Sequence, residues 1–260
     1  MVSKRQLQKP PLIEALVEVK WELQSSASGL EIDPHYKLIL ARLADRLLSK
    51  YPEHEPLPTS LMPEHVLAHT IQHRFRISEE AWPLVQVGPG ILTFNETDKY
   101  AWEDFEGNVE EVLAKLFEVH PQPDELKITS LVLRFINAIE FDFTRESILG
   151  FLNQQLRSNI SFPPELFRDS AVGSSPIRLD CNATFPSQNP KGAILIRFAA
   201  GHIDKSPALI WELVFQTQQD DLPGLPQGFS AWMTAAHQVI EEWFSKLIAG
   251  DLERRFSPHG

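Results

Sequence analysis

Alternating apolar and polar residues near the start of the chain predict a half-buried β-strand. Between Leu12 and Leu23, the residues Ala15, Val17, Val19 and Trp21 fall on one side of an extended chain. The residues between them are mostly charged and fall on the other side. A period of two residues is typical of a strand that buries one face and exposes the other.

Helical spacing follows this strand. Asp33 offers a capping side chain and Pro34 suits the first helical position, so we expect a helix to begin there. Apolar residues then recur three and four positions apart from Tyr36 to Leu47, which predicts one buried stripe. The proline-rich stretch 52–63 reads as a stiff connection without regular structure.

Three short strands and a second helix complete the first half of the chain. Alternation over 70–77 and the apolar segments 84–87 and 91–95, joined by a glycine-proline-glycine turn, predict an antiparallel meander. Helical spacing from Trp102 to His120, with acidic residues in the first turn, predicts the helix.

The second half repeats this order with little residue identity. The pattern predicts a strand at 127–143, a helix at 146–156, strands at 177–185, 193–199 and 209–216, and a final helix of about 25 residues ending near Phe256. Residues 1–124 and 125–260 thus each read β-α-β-β-β-α, which predicts a structural pseudo-repeat whose halves pack as two domains or one. The expected fold class is α+β, with antiparallel sheets, each packed by amphipathic helices, and a long C-terminal helix.

Composition is that of a globular protein, and its charge limits the classes of partner. Hydrophobic residues make up 43% and charged residues 23% of the 260 positions. The formal charge of -11 would repel a phosphate backbone, so we expect no nucleic-acid partner. We also expect no membrane partner, because the longest apolar stretches, such as 193–198, are far too short to span a bilayer. The polar N-terminus and the single cysteine favour a cytoplasmic location.

Motifs for metal binding and for catalysis are weak or absent. His65, His69 and His73 recur every four residues, which on a helix would place three imidazoles on one face. On the predicted strand they would lie too far apart to share a metal, so surface histidines are the favoured interpretation and no metal or cofactor is expected. The chain contains neither a nucleophile elbow nor a P-loop. Cys181 alternates with apolar residues and is favoured as a core residue over a reactive thiol.

Charged residues on the sides of the strands that face away from the helices are the candidate site. These are Glu18, Lys20, Arg74 and Arg76 in the first half, and Arg134, Asp180, Arg197 and Glu212 in the second. One interpretation is a solvent face laced with ion pairs across neighbouring strands. The other is a polar cleft in which Arg134 and Arg197 hold a carboxylate or phosphate through bidentate hydrogen bonds, with Glu212 beside them.

Asn137 is unusual because it falls between Phe135 and Ile139 on the apolar side of its strand. A buried amide needs hydrogen-bond partners. Backbone groups at a bulge would give it a structural role, and contact with a ligand is the alternative. Both interpretations stay open at this point, and Asn137 is kept among the candidate ligand-binding residues.

Several short motifs together resemble a known family. They are Pro10-Pro11-Leu12-Ile13-Glu14-Ala15, Trp82 with Leu84-Val85-Gln86-Val87, Asn95 before Tyr100-Ala101-Trp102, Arg134-Phe135-Ile136-Asn137, Ala236-His237 and Phe244. In order and spacing the chain resembles a sporadically distributed family of prokaryotic proteins to which no function is assigned. The resemblance implies a cytoplasmic prokaryotic protein without established catalytic residues. The chain departs from that pattern at Phe135, where tyrosine is frequent, and at Ala138, where a basic residue is frequent.

Two classes of function remain. The leading hypothesis is a non-catalytic binding protein, dimeric, with a polar surface for a small anion or a protein partner; Trp211, Trp232 and Trp243 are candidates for the subunit contact. The alternative is a hydrolase or transferase acting on a small anionic metabolite, with Glu212 or His237 as general base.

Overall fold

A nine-stranded antiparallel sheet forms the centre of the protein, in a computed structural model that describes residues 7, 9–26, 29–62, 67–97 and 100–257. The strands are β1 (Leu12–Trp21), β2 (Gln24–Ser25), β3 (Glu31–Ile32), β4 (Glu53–Pro56), β5 (His73–Arg76), β6 (Leu84–Gly88), β7 (Ile91–Glu96), β8 (Ile128–Glu140), β9 (Asp180–Gln188), β10 (Lys191–Ile203) and β11 (Ser206–Gln218). The helices are α1 (Tyr36–Leu47), α2 (Trp102–Val119), α3 (Ile148–Gln154), α4 (Phe229–Ile248) and α5 (Asp251–Phe256).

Both halves of the chain contribute to the same sheet. Its strand order is β4-β5-β6-β7-β1-β8-β11-β10-β9, and β2 and β3 form a separate two-stranded sheet. Strands β1 and β8, which are the first strands of the two halves, pair with each other at the centre of the sheet. The mixed α+β class with a large antiparallel sheet is therefore confirmed. The sequence pattern does not decide whether the halves form one sheet or two, and the structure has one, because two long, apolar strands lie side by side and exchange hydrogen bonds.

The central strand β1 shows why the alternating pattern was informative. Ala15, Val17, Val19 and Trp21 are each at most 2% exposed and belong to the main hydrophobic core. The residues between them are partly exposed on the opposite side of the sheet. Burying one face of a strand in the centre of a sheet thus leaves the other face available for polar contacts.

The helices cover the apolar side of the sheet with the stripes that their spacing predicts. In α1 the buried residues are Tyr36, Ile39, Leu43 and Leu47, and Leu40 is only partly buried. Helix α2 packs against both α1 and α4, and α4 also contacts β8 and β11. No helix in the described ranges is long and apolar enough to cross a membrane.

Asp33 links the start of α1 to two other segments of the first half. The helix begins at Tyr36, and His35 occupies the N-cap without a side-chain hydrogen bond. The carboxylate of Asp33 instead accepts hydrogen bonds from the indole Nε1 of Trp21, the backbone N–H of Gly90 and the backbone N–H of His35. Asp33 thus caps the turn that precedes α1, two residues before the N-cap of the helix, and its carboxylate, which is 5% exposed, also binds buried donors from β1 and the β6–β7 turn.

The proline-rich stretch is not a simple connection, because it contains the outer strand β4. Residues 53–56 pair antiparallel with β5, and Pro56 lies opposite His73. Proline is tolerated in an edge strand, where its missing N–H faces away from the ladder. All four residues are exposed, so no apolar alternation revealed the strand.

The final helix is shorter than predicted. Helix α4 ends at Ile248, and the short helix α5 begins three residues later. Gly250 between them has φ +115°, a conformation that residues with a Cβ rarely adopt. This glycine divides the predicted helix into two.

The tryptophans proposed for a subunit contact are mainly core residues. Trp211 is fully buried and Trp232 is 4% exposed. The indole Nε1 of Trp232 donates a hydrogen bond to Thr217 inside the protein. Only Trp243, which is partly exposed and lies 5.3 Å from the ring of Phe185, remains available for such a contact. The assignment of the other two was wrong because helical and strand spacing marks burial against the sheet equally well.

Candidate functional site

The sheet face opposite the helices carries the charged residues that the sequence singled out, and we call it the open face. Residues directly opposite each other in neighbouring strands share a face. Arg134 of β8 lies opposite Leu16 of β1, and Glu212 of β11 lies opposite Arg197 of β10. The same register places Glu18, Lys20, Arg74, Arg76 and Asp180 on this face. The predicted common face for these residues is therefore present.

Arg197 is held by two carboxylates in the second half of the open face. Its Nε and Nη2 donate hydrogen bonds of 2.9 and 2.7 Å to the two oxygens of Asp180. Its Nη1 donates a 2.8 Å hydrogen bond to Glu212. The Asp180 hydrogen bond, more than the Glu212 contact, raises the pKa of Arg197, and Arg197 in turn lowers the pKa of Asp180. Because three of its donors are used, Arg197 is not positioned to bind an anion bidentately.

Arg134 belongs to the same cluster but has donors that make no hydrogen bond within it. Its Nε lies 3.8 Å from the second oxygen of Glu212, beyond a hydrogen bond, although the two charges attract. That Nε is buried and has no hydrogen-bond partner within the described residues. The side chain as a whole is 41% exposed. Arg134 is therefore the guanidinium in this cluster that can donate to an incoming acceptor.

Asn137 does not join these three residues. It lies opposite the buried Trp211 on the helix side of the sheet and is only 2% exposed. A register shift in the β1–β8 pairing occurs opposite Asn137, where Ala138 donates to the carbonyl of Pro11. Asn137 therefore lies at an irregularity of the ladder, its Nδ2 is buried without a hydrogen-bond partner among the described residues, and the sheet separates it from the other candidates.

A second polar network crosses the first half of the open face. Nε of Arg74 donates to the side-chain oxygen of Gln86, whose amide donates to Thr93 and to Asn95. The amide of Asn95 donates a 2.6 Å hydrogen bond to Glu14 of the neighbouring strand. Side chains thus link four strands in one connected hydrogen-bond network, and such networks hold their members in a fixed arrangement.

Apolar side chains lie between the two networks. On β8 and β11 they are Val132, Ile136, Ile210 and Val214, and Leu16 of β1 lies beside them. Val132 and Val214 are buried by their neighbours, and the other three are partly exposed. The centre of the open face is therefore mixed, with apolar surface interspersed among ion pairs.

The histidines of the first half are dispersed. His69 contacts the carbonyl of Trp21 through Nε2 at 3.0 Å, whereas Nδ1 of His73 meets Nε2 of His54 at 3.0 Å. His65 lies outside the described residues. In the ranges that the structure describes, no group of three or more His, Cys, Asp and Glu side chains could hold a metal ion.

Cys181 lies on the helix side of β9, opposite Phe198. It is partly buried, and burial raises the pKa of its thiol. A raised pKa makes the reactive thiolate scarce.

An aromatic cluster between α2 and α4 was not predicted from the sequence. The rings of Trp102 and His237 stack at 3.6 Å, and Phe135 lies 5.8 Å from His237 and 5.7 Å from Tyr100. Burial raises the pKa of the Tyr100 hydroxyl, and the nearby Glu241 raises it further by a smaller amount. All four residues belong to the motifs that carry the family resemblance, which is the signal that could have grouped them.

Two shallow pockets lie away from Arg134. One of about 550 Å³ lies at an end of the open face and includes Lys20, Ser130 and Gln218. The other, of about 620 Å³, lies beside the start of α2 and includes Glu96, Glu103 and Asp104. Neither pocket is lined by Arg134, Arg197 or Glu212.

Comparisons with known proteins leave the function open. No protein-family model matches the chain, and no curated protein matches it. Among solved structures, the TBP of Methanococcus jannaschii is similar at a TM-score of 0.24 and 13% identity, over 91% of this chain and 99% of that chain. A likeness at this score carries no argument about function, so the proposals below depend on the residues themselves.

Proposed function

We propose that the chain is a non-catalytic binding protein whose open face docks a protein partner, with a partner carboxylate meeting Arg134. The observation that carries this proposal is the geometry of Arg134. Its Nε is buried without a hydrogen-bond partner in the described residues, while the side chain as a whole is 41% exposed. A buried donor without an acceptor is costly, so a rotation of the side chain that lets its guanidinium bind a partner's carboxylate would be favoured.

A protein partner fits the open face better than a free small anion does. Sites for small molecules are concave, whereas Arg134 lies on a strand of the open face among partly exposed apolar side chains. The neighbouring surface offers the partly exposed side chains of Leu16, Ile136 and Ile210. Protein interfaces combine apolar contacts with arginine in this manner.

The alternative of a hydrolase or transferase receives less support. Glu212 is 9% exposed and is engaged by Arg197, so it is poorly placed to accept a proton from a substrate. His237 stacks on Trp102 on the helix side, so the sheet separates it from Arg134. A general base must lie within hydrogen-bond reach of the reacting group.

We also infer that the halves 1–124 and 125–260 are copies of one plan. The order β4-β5-β6-β7-β1 on one side is met by β9-β10-β11-β8 on the other, which supports the idea. The second half is one strand shorter than the first. We further propose a cytoplasmic location, and membership of the prokaryotic family that the motifs resemble.

The experiment compares wild type with Arg134→Glu as baits for affinity capture from the source organism. Any protein that wild type recovers and the variant loses is then purified, and its Kd is measured by calorimetry. Arg134→Ala should weaken that Kd about 30-fold, because a central arginine at an interface contributes about 2 kcal/mol. Lys246→Ala is the matched control, since Lys246 is an exposed cation on α4 and should leave Kd unchanged.

Two results would contradict the proposal. One is that no purified protein shows a Kd that depends on Arg134, although the variants unfold at the same temperature as wild type. The other is that acetate or phosphate raises the Tm of wild type but not of Arg134→Ala. That second result would assign Arg134 to a small-anion site.

A further inference from the structure

The two outer strands of the sheet are not equally protected. Strand β4 has four residues, including Glu53, Glu55 and Pro56, which are typical devices against edge pairing. Strand β9 has nine residues, and only Asp180 at its first position is charged. All but two of the nine are exposed. A long edge strand with few charges is suited to pairing with another strand.

The backbone groups of β9 that point away from the sheet can be assigned. The N–H of Ala200 donates to the carbonyl of Leu179, which makes these opposite residues a hydrogen-bonded pair. Because such pairs alternate along an antiparallel ladder, Cys181 and Ala183 also point their backbone groups toward β10. The backbone groups of Asp180, Asn182 and Thr184 therefore point outward. Within the described residues, no backbone hydrogen bond outside the regular ladders reaches these three.

Pro186 limits how far another strand can pair. Its position in the alternation also points outward, but proline has no N–H to donate. The usable edge is thus the stretch 180–184, whose centre is Asn182. A second β9 that runs antiparallel about Asn182 would place Asp180 opposite Thr184 and Asn182 opposite itself. This register gives every outward N–H of the stretch an acceptor and keeps proline out of the pairs.

We propose that the protein forms a two-fold dimer through antiparallel pairing of β9 with β9 of a second copy, in the register centred on Asn182. The two sheets would then join into one continuous sheet with the helices of both copies on the same side. This interface is separate from the open-face site of the proposed function. Its failure would therefore leave that function standing.

Apolar side chains near the edge favour a second copy as the occupant. Phe185 is 45% exposed, and it lies beside Trp243. In the proposed register Phe185 faces Leu179 of the second copy. The segment before β9 exposes further apolar side chains, namely Phe162, Leu166, Val172 and Ile177. Exposed apolar residues of this kind are typical of an interaction surface.

Charge does not oppose the pairing at this edge. Asp180 is already neutralised by Arg197 and would face the uncharged Thr184. The net charge of -11 acts over longer distances, and physiological salt screens it beyond about 8 Å. The strand is therefore complementary to itself in hydrogen bonding and local charge.

The first test is the mass of the protein in solution. Size-exclusion chromatography with light scattering should give a dimer for wild type and a monomer for Thr184→Pro. That substitution removes an outward N–H and leaves the bonds between β9 and β10 in place. Thr184→Val keeps the N–H and should remain dimeric. A monomeric wild type, or a dimeric Thr184→Pro, would overturn the proposal.

The second test reads out the register through a disulfide. Cys181 and Ala183 of the second copy would form a non-hydrogen-bonded pair with Cα atoms about 4.5 Å apart, which is within disulfide range. Ala183→Cys oxidised with diamide should therefore run as a covalent dimer on a non-reducing gel. The double variant Cys181→Ser/Ala183→Cys should not. Absence of the first dimer, or presence of the second, rules out the proposed register.

Discussion

The two ends of the sheet differ in how well their outer strands are protected from pairing with another strand. In the first half the sheet ends on β4, whose four residues lie between prolines and carry two glutamates. In the second half it ends on β9, whose residues after Asp180 are uncharged. The comparison teaches that one end is closed against pairing and the other is left able to pair. The missing fifth strand of the second half lies on the side where we place a second copy.

The halves also differ in how a buried tryptophan is fixed. Trp21 donates to the carboxylate of Asp33, whereas Trp232 donates to the hydroxyl of Thr217. The carboxylate collects three hydrogen bonds from separate segments, and the hydroxyl accepts one and donates one to the carbonyl of Lys191. A charged acceptor in the interior contributes more when bonded and costs more when its partners are lost.

The largest expected effect is therefore in the first half, at Asp33. Asp33→Ala should lower the free energy of unfolding by about 3 kcal/mol, because buried donors of Trp21 and Gly90 lose their acceptor. Urea unfolding followed by tryptophan fluorescence measures the loss. Asp33→Asn retains one acceptor oxygen and should lose less than the alanine variant. Equal losses in the two variants would show that the shape of the side chain, and not its hydrogen bonds, matters.

In the second half, Thr217→Val should cost less. The valine keeps the shape of threonine but leaves the indole Nε1 of Trp232 and the carbonyl of Lys191 without partners, for a loss of about 1 to 2 kcal/mol. Thr217→Ser keeps the hydroxyl and is the control. If the valine variant is as stable as the serine variant, the contrast between charged and neutral anchors fails.

The sequence predicted the parts of this comparison that local periodicity encodes. The alternation in β1 and the stripe in α2 identify both the element and its buried side, because periods of 2 and 3.6 residues reflect geometry alone. Strand β4 was missed because an exposed edge strand has no buried face to create alternation. The break before α5 was missed because a single glycine within a helical pattern is often tolerated.

The site was predictable only as a set of residues on one face. Alternation correctly placed Arg134, Arg197 and Glu212 on that face. Which of them contact each other depends on the register between β8, β11 and β10, which no local pattern encodes. The bidentate contact of Arg197 with Asp180 is thus a result of the fold. It leaves Arg134 as the available donor.

Two histidines near the outer strand β4, His54 and His73, provide a smaller, pH-dependent test of stability at that end of the sheet. His54 is exposed as a residue, but its ring stacks on Phe75, and this partial burial lowers its pKa; burial together with the charge of His54 lowers the pKa of His73. The folded state favours the neutral form of both imidazoles. Their contribution to stability is therefore complete above the ordinary pKa of 6.5, and it is lost as the pH falls through their lowered pKa values in the folded state. Stability should therefore decrease as the pH falls below about 6.5.

The variant His54→Gln isolates this pair. Glutamine cannot be protonated, so the decrease in the urea midpoint on acidification should be shallower than in wild type. It should not vanish, because burial also lowers the pKa of His120. An unchanged slope would show that protonation of His54 is not opposed at this edge.

The smallest expected effects are those of exposed ion pairs beside the two outer strands. They compare how much each end of the sheet depends on its ion pairs. Glu55 approaches Arg74 and Arg76 at 3.3 and 3.4 Å, whereas Asp180 binds Arg197 through two hydrogen bonds of 2.7 and 2.9 Å. Bidentate pairs are in general stronger than looser contacts between single donors and acceptors. In a Thr184→Pro background, which removes the proposed dimer, Asp180→Asn should lower Tm more than Glu55→Gln. The reverse order would mean that the closed end, despite its looser contacts, depends more on its charges than the end that we expect to pair.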